Sequence, residues 1–174
     1  ESLYNSVAAL LPRNEFSLYQ ASSSGEAKRM LVSALPDIMI VNTPLPDDFG
    51  IELAMSFADT NSCILLLVKN EYYDQVCYKV EKSGVLTLGK PASKQGLYSA
   101  IRLLCATHMK LSKLEKKNRT LQEKMSDIRT VNRAKWLLIE NMNMTEKDAH
   151  YYIEKQAMDT RLSRREIAEH IIRT

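Results

Sequence analysis

From Leu97 onward the chain carries a heptad seam. Positions 97, 104, 111, 118 and 125 are Leu, Leu, Leu, Asn and Met, and positions 100, 107, 114, 121 and 128 are Ala, Thr, Leu, Leu and Ile. All five glycines and all five prolines lie at or before Gly96, so nothing local breaks a helix through this stretch. An apolar repeat of 3.5 residues needs a second helix to cover it. The flanking positions Lys110, Lys113, Lys116, Lys117, Glu123 and Lys124 offer little else to bury. A lone polar residue at an a position, here Asn118, fixes register and favours a parallel pair. The seam therefore predicts a dimer held by Leu104, Leu111, Leu114, Asn118, Leu121 and Met125. A long amphipathic helix packed on its own domain is the competing reading.

Ahead of the seam, helical and strand-like segments alternate. A helix is expected over Ser2 to Leu11, ended by Pro12, then a short strand over Glu15 to Ala21. Ser24 suits the cap of a helix over Gly25 to Leu35, with Ala27, Met30, Leu31 and Ala34 on one face. The run Asp37-Ile38-Met39-Ile40-Val41-Asn42 is apolar without alternation, as in a strand buried on both faces of a parallel sheet. Helices over 51–58, 72–82 and from Ser93 then alternate with strands over 63–68 and 85–88. This order predicts a doubly wound α/β sheet.

Behind the seam everything is helical. The long helix runs to about Asn141, and Asn143-Met144-Thr145 breaks it. Thr145 with Asp148, and Ser163 with Glu166, have capping-box spacing for helices over about 146–158 and from Ser163. Asp159 to Leu162 is read as the turn. Ala134, Leu137, Leu138, Ala149, Ile153, Ala157, Ile167, Ala168 and Ile171 can form one small core. A unit of this size needs support, which continuity with a coiled coil supplies.

Charge separates the two ends. Residues 1–109 carry 9 Lys/Arg against 11 Asp/Glu, whereas residues 110–174 carry 15 against 10. The basic back suggests a polyanionic partner. Cys63, Cys77 and Cys105 are widely spaced and fit buried thiols in a reducing compartment rather than a zinc site. His108, His150 and His170 form no ligand cluster. The first residues lack a basic and then apolar leader, and no run approaches the length of a membrane span. The expectation is a cytoplasmic protein without metal, cofactor or membrane contact.

The stretch from Pro36 to Gly50, with Asn42, Leu45-Pro46 and Gly50, resembles the central motif of response-regulator receiver domains. Gly89-Lys90-Pro91 resembles the Lys-Pro after their fifth strand, which makes Lys90 the counterpart of the switch lysine. In that family the third strand ends on an Asp that accepts a phosphoryl group; here the position holds Asn42. A carboxamide is not a nucleophile for that transfer and brings no charge for Mg²⁺. Val68 stands where a small hydroxyl residue is expected. The resemblance covers about residues 1–105 and places the first residues inside the first helix. It favours a chain lacking its native start, with the first strand and its acidic pair, over a four-strand domain. It implies a degenerate receiver kept as a platform for dimerisation and protein contact, with Asp47 and Asp48 read as solvated loop acids.

Arg133-Ala134-Lys135-Trp136-Leu137-Leu138, then Thr145 to Arg161 with Ala157-Met158-Asp159, then Ile167-Ala168, resemble the ANTAR family over about residues 128–173. Trp136 occupies a position usually small, and His150 one usually Tyr or Phe. Members are three-helix RNA-binding modules that hold paired hairpins of nascent transcripts and so prevent a terminator stem from forming. The resemblance implies an RNA surface, for which Arg129, Arg133, Lys135, His150, Tyr151, Arg161, Arg164 and Arg165 are the candidate residues. Basic groups would hold phosphates, and His150 and Tyr151 would stack on unpaired bases. Trp136 and Tyr152 are read as packing residues.

The resulting division is a receiver-like domain over 1–96, a coiled-coil linker over 97–127 and an RNA-binding domain over 128–174. The function implied is transcription antitermination on hairpins of mRNA leaders by a homodimer in a two-component lineage. A regulatory protein or small ligand at the receiver-like domain would supply the input. No triad, paired catalytic carboxylates or glycine-rich phosphate loop points to an enzyme. A DNA-binding response regulator and a dimeric scaffold without nucleic acid are the alternatives.

Overall fold

An unbroken apolar run makes Cys63–Lys69 (β2) the centre of the sheet: its first six residues are all buried. The computed structural model describes residues 3–173. β2 pairs in parallel with Ile38–Asn42 (β1) on one side and Leu86–Lys90 (β3) on the other, giving the order β1-β2-β3. Parallel strands need crossovers, and helices supply them. The elements are α1 (Leu3–Leu10), α2 (Ser24–Ser33), α3 (Ile51–Phe57), α4 (Tyr73–Val80) and the start of α5 (Lys94–Met142).

Alternation along the strands loads both faces. Met39, Val41, Ile64, Leu66 and Val68 meet Leu53 and Ala54 of α3 and Val76 and Val80 of α4. Cys63, Leu65 and Leu67 meet Val7 of α1 and Leu97, Ile101 and Leu104 of α5. The result is the expected doubly wound α/β layering. Gly50 enters α3 at φ 89°, and a Cβ there would come within 2.8 Å of a Val41 methyl. Glycine is required at that turn by both backbone and space.

Three expectations for this unit are corrected. Residues 15–21 form no strand. Phe16 and Leu18 do pack against the α1–α5 face of the sheet, but alternation specifies which side chains bury and not which strand will pair. The cap of α2 is Ser23, whose hydroxyl accepts from Glu26 N–H at 3.1 Å, one residue before Ser24. Ala27 and Leu31 pack inward, while Met30 and Ala34 on the expected face are exposed. The sequence expectation for Ser2 lies outside the described residues.

The chain divides into two compact units, Glu1–Lys113 and Leu114–Thr174. In the second, the end of α5 packs with α6 (Glu146–Thr160) and α7 (Arg164–Arg173). Ala134, Leu138, Ala149, Ile153, Ile167 and Ala168 form its core, with Tyr152, Ala157 and Ile171 against them. Leu137 is only half-buried and stands outside that cluster. Thr145 caps α6 by accepting from Asp148 N–H at 3.2 Å, and Ser163 and Glu166 form a reciprocal capping box on α7. α6 runs two residues further than expected, to Thr160, and Arg161 closes it in the left-handed conformation at φ 56°. No helix among the described residues is long and apolar enough to cross a membrane.

The heptad seam divides between two roles. Leu97 and Leu104 are 6% exposed and belong to the sheet's core. Leu111, Leu114, Leu121, Met125 and Ile128 are 47–60% exposed, with Asn118 exposed among them. Leu104 is thus a core residue and not a seam contact. Leu104→Ala should therefore destabilise the α/β unit by about 2–5 kcal/mol. Chemical denaturation followed at several protein concentrations checks this: the loss should not depend on concentration.

Candidate nucleic-acid interface

At the C-terminal edge of the sheet, Asn42 ends β1 and Lys90 ends β3. Lys90 Nζ donates to Asn42 Oδ1 at 2.7 Å and also to the Thr43 carbonyl. Thr43 is buried and fixed, since its N–H and hydroxyl both donate to the Leu67 carbonyl at 3.0 and 2.9 Å. Lys69 stands opposite Lys90 in the β2–β3 register. Burial first, and then the charge of Lys69, hold the Lys90 ammonium below its ordinary value. Val68 is fully buried in the core on the α3–α4 side and offers this edge no hydroxyl.

The loop acids stay at the surface, Asp47 exposed and Asp48 partly so, and both also accept bonds from the backbone. Asp47 accepts from the N–H groups of Gly25 and Ser24 at 2.9 Å each, and these bonds hold its carboxyl below the usual range. Asp48 accepts from Gly50 N–H. Beside them is an open depression of about 420 Å³ that includes Phe49, Glu52, Tyr72 and Lys79 in its lining. The Phe49 and Tyr72 rings meet edge to face with centroids 5.8 Å apart.

In the helical unit, several cations hold the fold. Lys135 Nζ sits 2.6 Å from Glu146, with its side chain only 16% exposed, and so ties the end of α5 to the first turn of α6. Arg165 reaches Asp127 at 2.7 Å and Glu169 at 2.9 Å, joining α7 to α5. The hydrogen bond to Glu169 first, and then the hydrogen bond and charge of Asp127, raise the Arg165 pKa. Glu154 is shared by His150 at 3.4 Å and Arg164 at 3.0 Å.

Other charges have no such role. Arg129, Arg133 and Arg161 are exposed and make no ion pair with another described residue. Tyr151 is exposed. One helical turn to either side of it on α6 stand Lys147 and Lys155, both exposed, with Met158 continuing the line. These two lysines were missed, although their i, i+4 spacing about Tyr151 was legible in the sequence. Trp136, expected to pack, is 64% exposed, whereas Tyr152 does pack on the core. The arrangement offers cationic groups interleaved with exposed aromatic faces, as phosphates and unpaired bases require.

The α/β unit has the fold of response-regulator receiver domains. It superposes on a two-component response regulator from Clostridium difficile at TM-score 0.50, with 21% identity over 59% of this chain and 85% of that one. A response regulator from Chloroflexus aurantiacus gives TM-score 0.51, with 21% identity over 59% and 87%. Residues 119–172 match the ANTAR domain family. The transcriptional regulatory protein PdtaR of Mycobacterium tuberculosis is 30% identical over 156 residues, spanning 89% of this chain and 76% of PdtaR. A receiver-like sheet joined by one helix to a basic three-helix unit defines a transcriptional regulator of the response-regulator class. Within that class, the chain belongs to the ANTAR-domain family.

The pairing of Lys135 with Glu146 has a pH signature. The Lys135 hydrogen bond holds the Glu146 carboxyl below its ordinary range, and the Ser163 N–H does the same for Glu166. A carboxyl depressed by folding stabilises the folded state above its unfolded pKa, and that contribution is lost as pH falls through the folded value. Acidification should lower the melting temperature of the helical unit, and Glu146→Gln should flatten that decline. Circular dichroism melts between about pH 7 and about pH 3 check it.

Proposed function

We propose that this chain is a cytoplasmic, homodimeric RNA-binding antiterminator that holds hairpins of nascent mRNA leaders and so keeps a terminator stem from forming. The observation that carries the reading lies in the segment matched to the ANTAR family. There, Arg129, Arg133 and Arg161 are exposed and make no ion pair with another described residue, and Lys147 and Lys155 flank the exposed Tyr151. Lys135, Arg164 and Arg165 are tied to carboxylates, so they shape this surface more than they supply its charge. His150, partly held by Glu154, lies one turn from Glu154 on the same helix and completes the polar part of the surface. The organisation proposed is a receiver-like domain over 1–96, a coiled-coil linker over 97–127 and an RNA-binding domain over 128–174.

Dimerisation runs through the exposed part of the seam, from Leu111 through Leu114, Asn118 and Leu121 to Met125. Two modules on one dimer then meet two hairpins on one transcript, and the second contact gains from effective concentration. The receiver-like domain acts as a pseudo-receiver. Asn42 gives Lys90 a neutral acceptor where phosphorylation chemistry needs a carboxylate, and the β2 end carries Val68 instead of a hydroxyl. Input comes from a protein or small ligand, for which the depression beside Phe49 and Tyr72 is the candidate seat.

Filter binding to a two-hairpin RNA over a salt series tests the reading. Arg133→Ala should weaken binding about tenfold and reduce the salt slope by about one phosphate contact. The Leu114→Asp/Leu121→Asp variant should become monomeric by sedimentation. It should lose about 10²-fold or more on paired hairpins while keeping its affinity for one. Preference for duplex DNA, or no salt-dependent binding to either nucleic acid, overturns the proposal.

Acetyl phosphate with Mg²⁺ should leave the intact mass unchanged. Stoichiometric phosphoryl incorporation would falsify the pseudo-receiver reading.

A further inference from the structure

Trp136 is the chain's sole tryptophan, and it is 64% exposed on a well-formed helix. At about 100° per residue, Arg129, Arg133 and Trp136 fall within an arc of about 60° on α5. Both arginines lack an ion pair with any other described residue, unlike Lys135, Arg164 and Arg165. The acids on α5 nearest these residues are Asp127 and Glu140. Asp127 is held by Arg165, and Glu140, one turn beyond Trp136, bounds the patch.

We propose that Trp136 is a stacking platform for an unpaired base of an RNA loop, with Arg129 and Arg133 holding the phosphates on one side of it. This rests on the RNA-binding reading above and adds a specific contact to it. A second copy of the chain is the rival occupant, and the seam itself argues against that. Continued past Met125 and Ile128, its a and d positions fall on Asn132 and Lys135. Lys135 is bound to Glu146 within its own chain. The apolar stripe that could bury Trp136 against a partner helix therefore ends before reaching it. A base has an apolar face and a charged backbone together, which matches an indole beside two exposed guanidinium groups.

A sole tryptophan makes the test direct. The fluorescence of the full chain is titrated with an RNA stem-loop and with the same stem carrying abasic loop positions. The first should quench emission saturably, and the second should not. Trp136→Phe should bind within about threefold of the wild type, and Trp136→Leu should lose about tenfold or more, with melting temperature and sedimentation unchanged. RNA binding without quenching, together with an unaffected Trp136→Leu variant, overturns this inference and leaves the RNA-binding reading standing. Trp136→Leu that weakens self-association assigns the residue to a protein interface and also overturns it. Absence of RNA binding by the wild type removes both.

Discussion

A single uninterrupted helix feeds two separate cores. α5 spans 49 residues with no proline and with its one glycine, Gly96, in its first turn. Its first turns bury Leu97, Ile101 and Leu104 under the sheet, and its last turns bury Ala134 and Leu138 among α6 and α7. Between them the apolar positions face solvent. A helix cannot change its face without a break, so the spacing of apolar residues decides where each core begins and ends. The heptad repeat is continuous in sequence, yet its first members serve a different purpose from the rest.

The α/β architecture was legible because its central strand states its own environment. Six consecutive apolar residues at Cys63–Val68 can only be buried on both faces, and two-sided burial brings helices to both sides. Residues 15–21 misled for a related reason. Phe16 and Leu18 alternate with polar neighbours as strand residues do, but a strand also needs a partner edge. That partner is a property of topology and leaves no mark on the segment itself. The shift of the α2 cap from Ser24 to Ser23 has a similar origin. Three consecutive serines offer several caps, and the bond from Ser24 N–H to Asp47, 23 residues away, favours one.

The candidate site was legible as composition and not as a set of roles. Basic residues in the ANTAR-like segment could be counted, but which of them are free depends on acids brought near by folding. Asp127 lies 38 residues from Arg165, and Glu146 lies 11 from Lys135. The capping boxes at Thr145 and Ser163 were fully local, which is why spacing located them. Trp136 shows the same limit in reverse. Ala134 and Leu138 lie on either side of it in sequence and are buried, whereas the helical phase turns the indole outward.

This division of charge follows from the size of the helical unit. Of its six core residues, three are alanines, so the apolar area removed from water is small for a unit of 61 residues. Exposed ion pairs add little energy singly. Their geometry nevertheless fixes helix against helix, as Lys135–Glu146 does for α5 and α6 and Arg165–Asp127 does for α5 and α7. A cation so engaged is a poor phosphate ligand, because binding would strip it from its carboxylate. Folding therefore sorts the basic residues before any partner arrives. Those that meet an acid across the unit hold the three helices in register. Arg129, Arg133, Lys147, Lys155 and Arg161, which meet no acid among the described residues, are left as the charge that a polyanion would encounter.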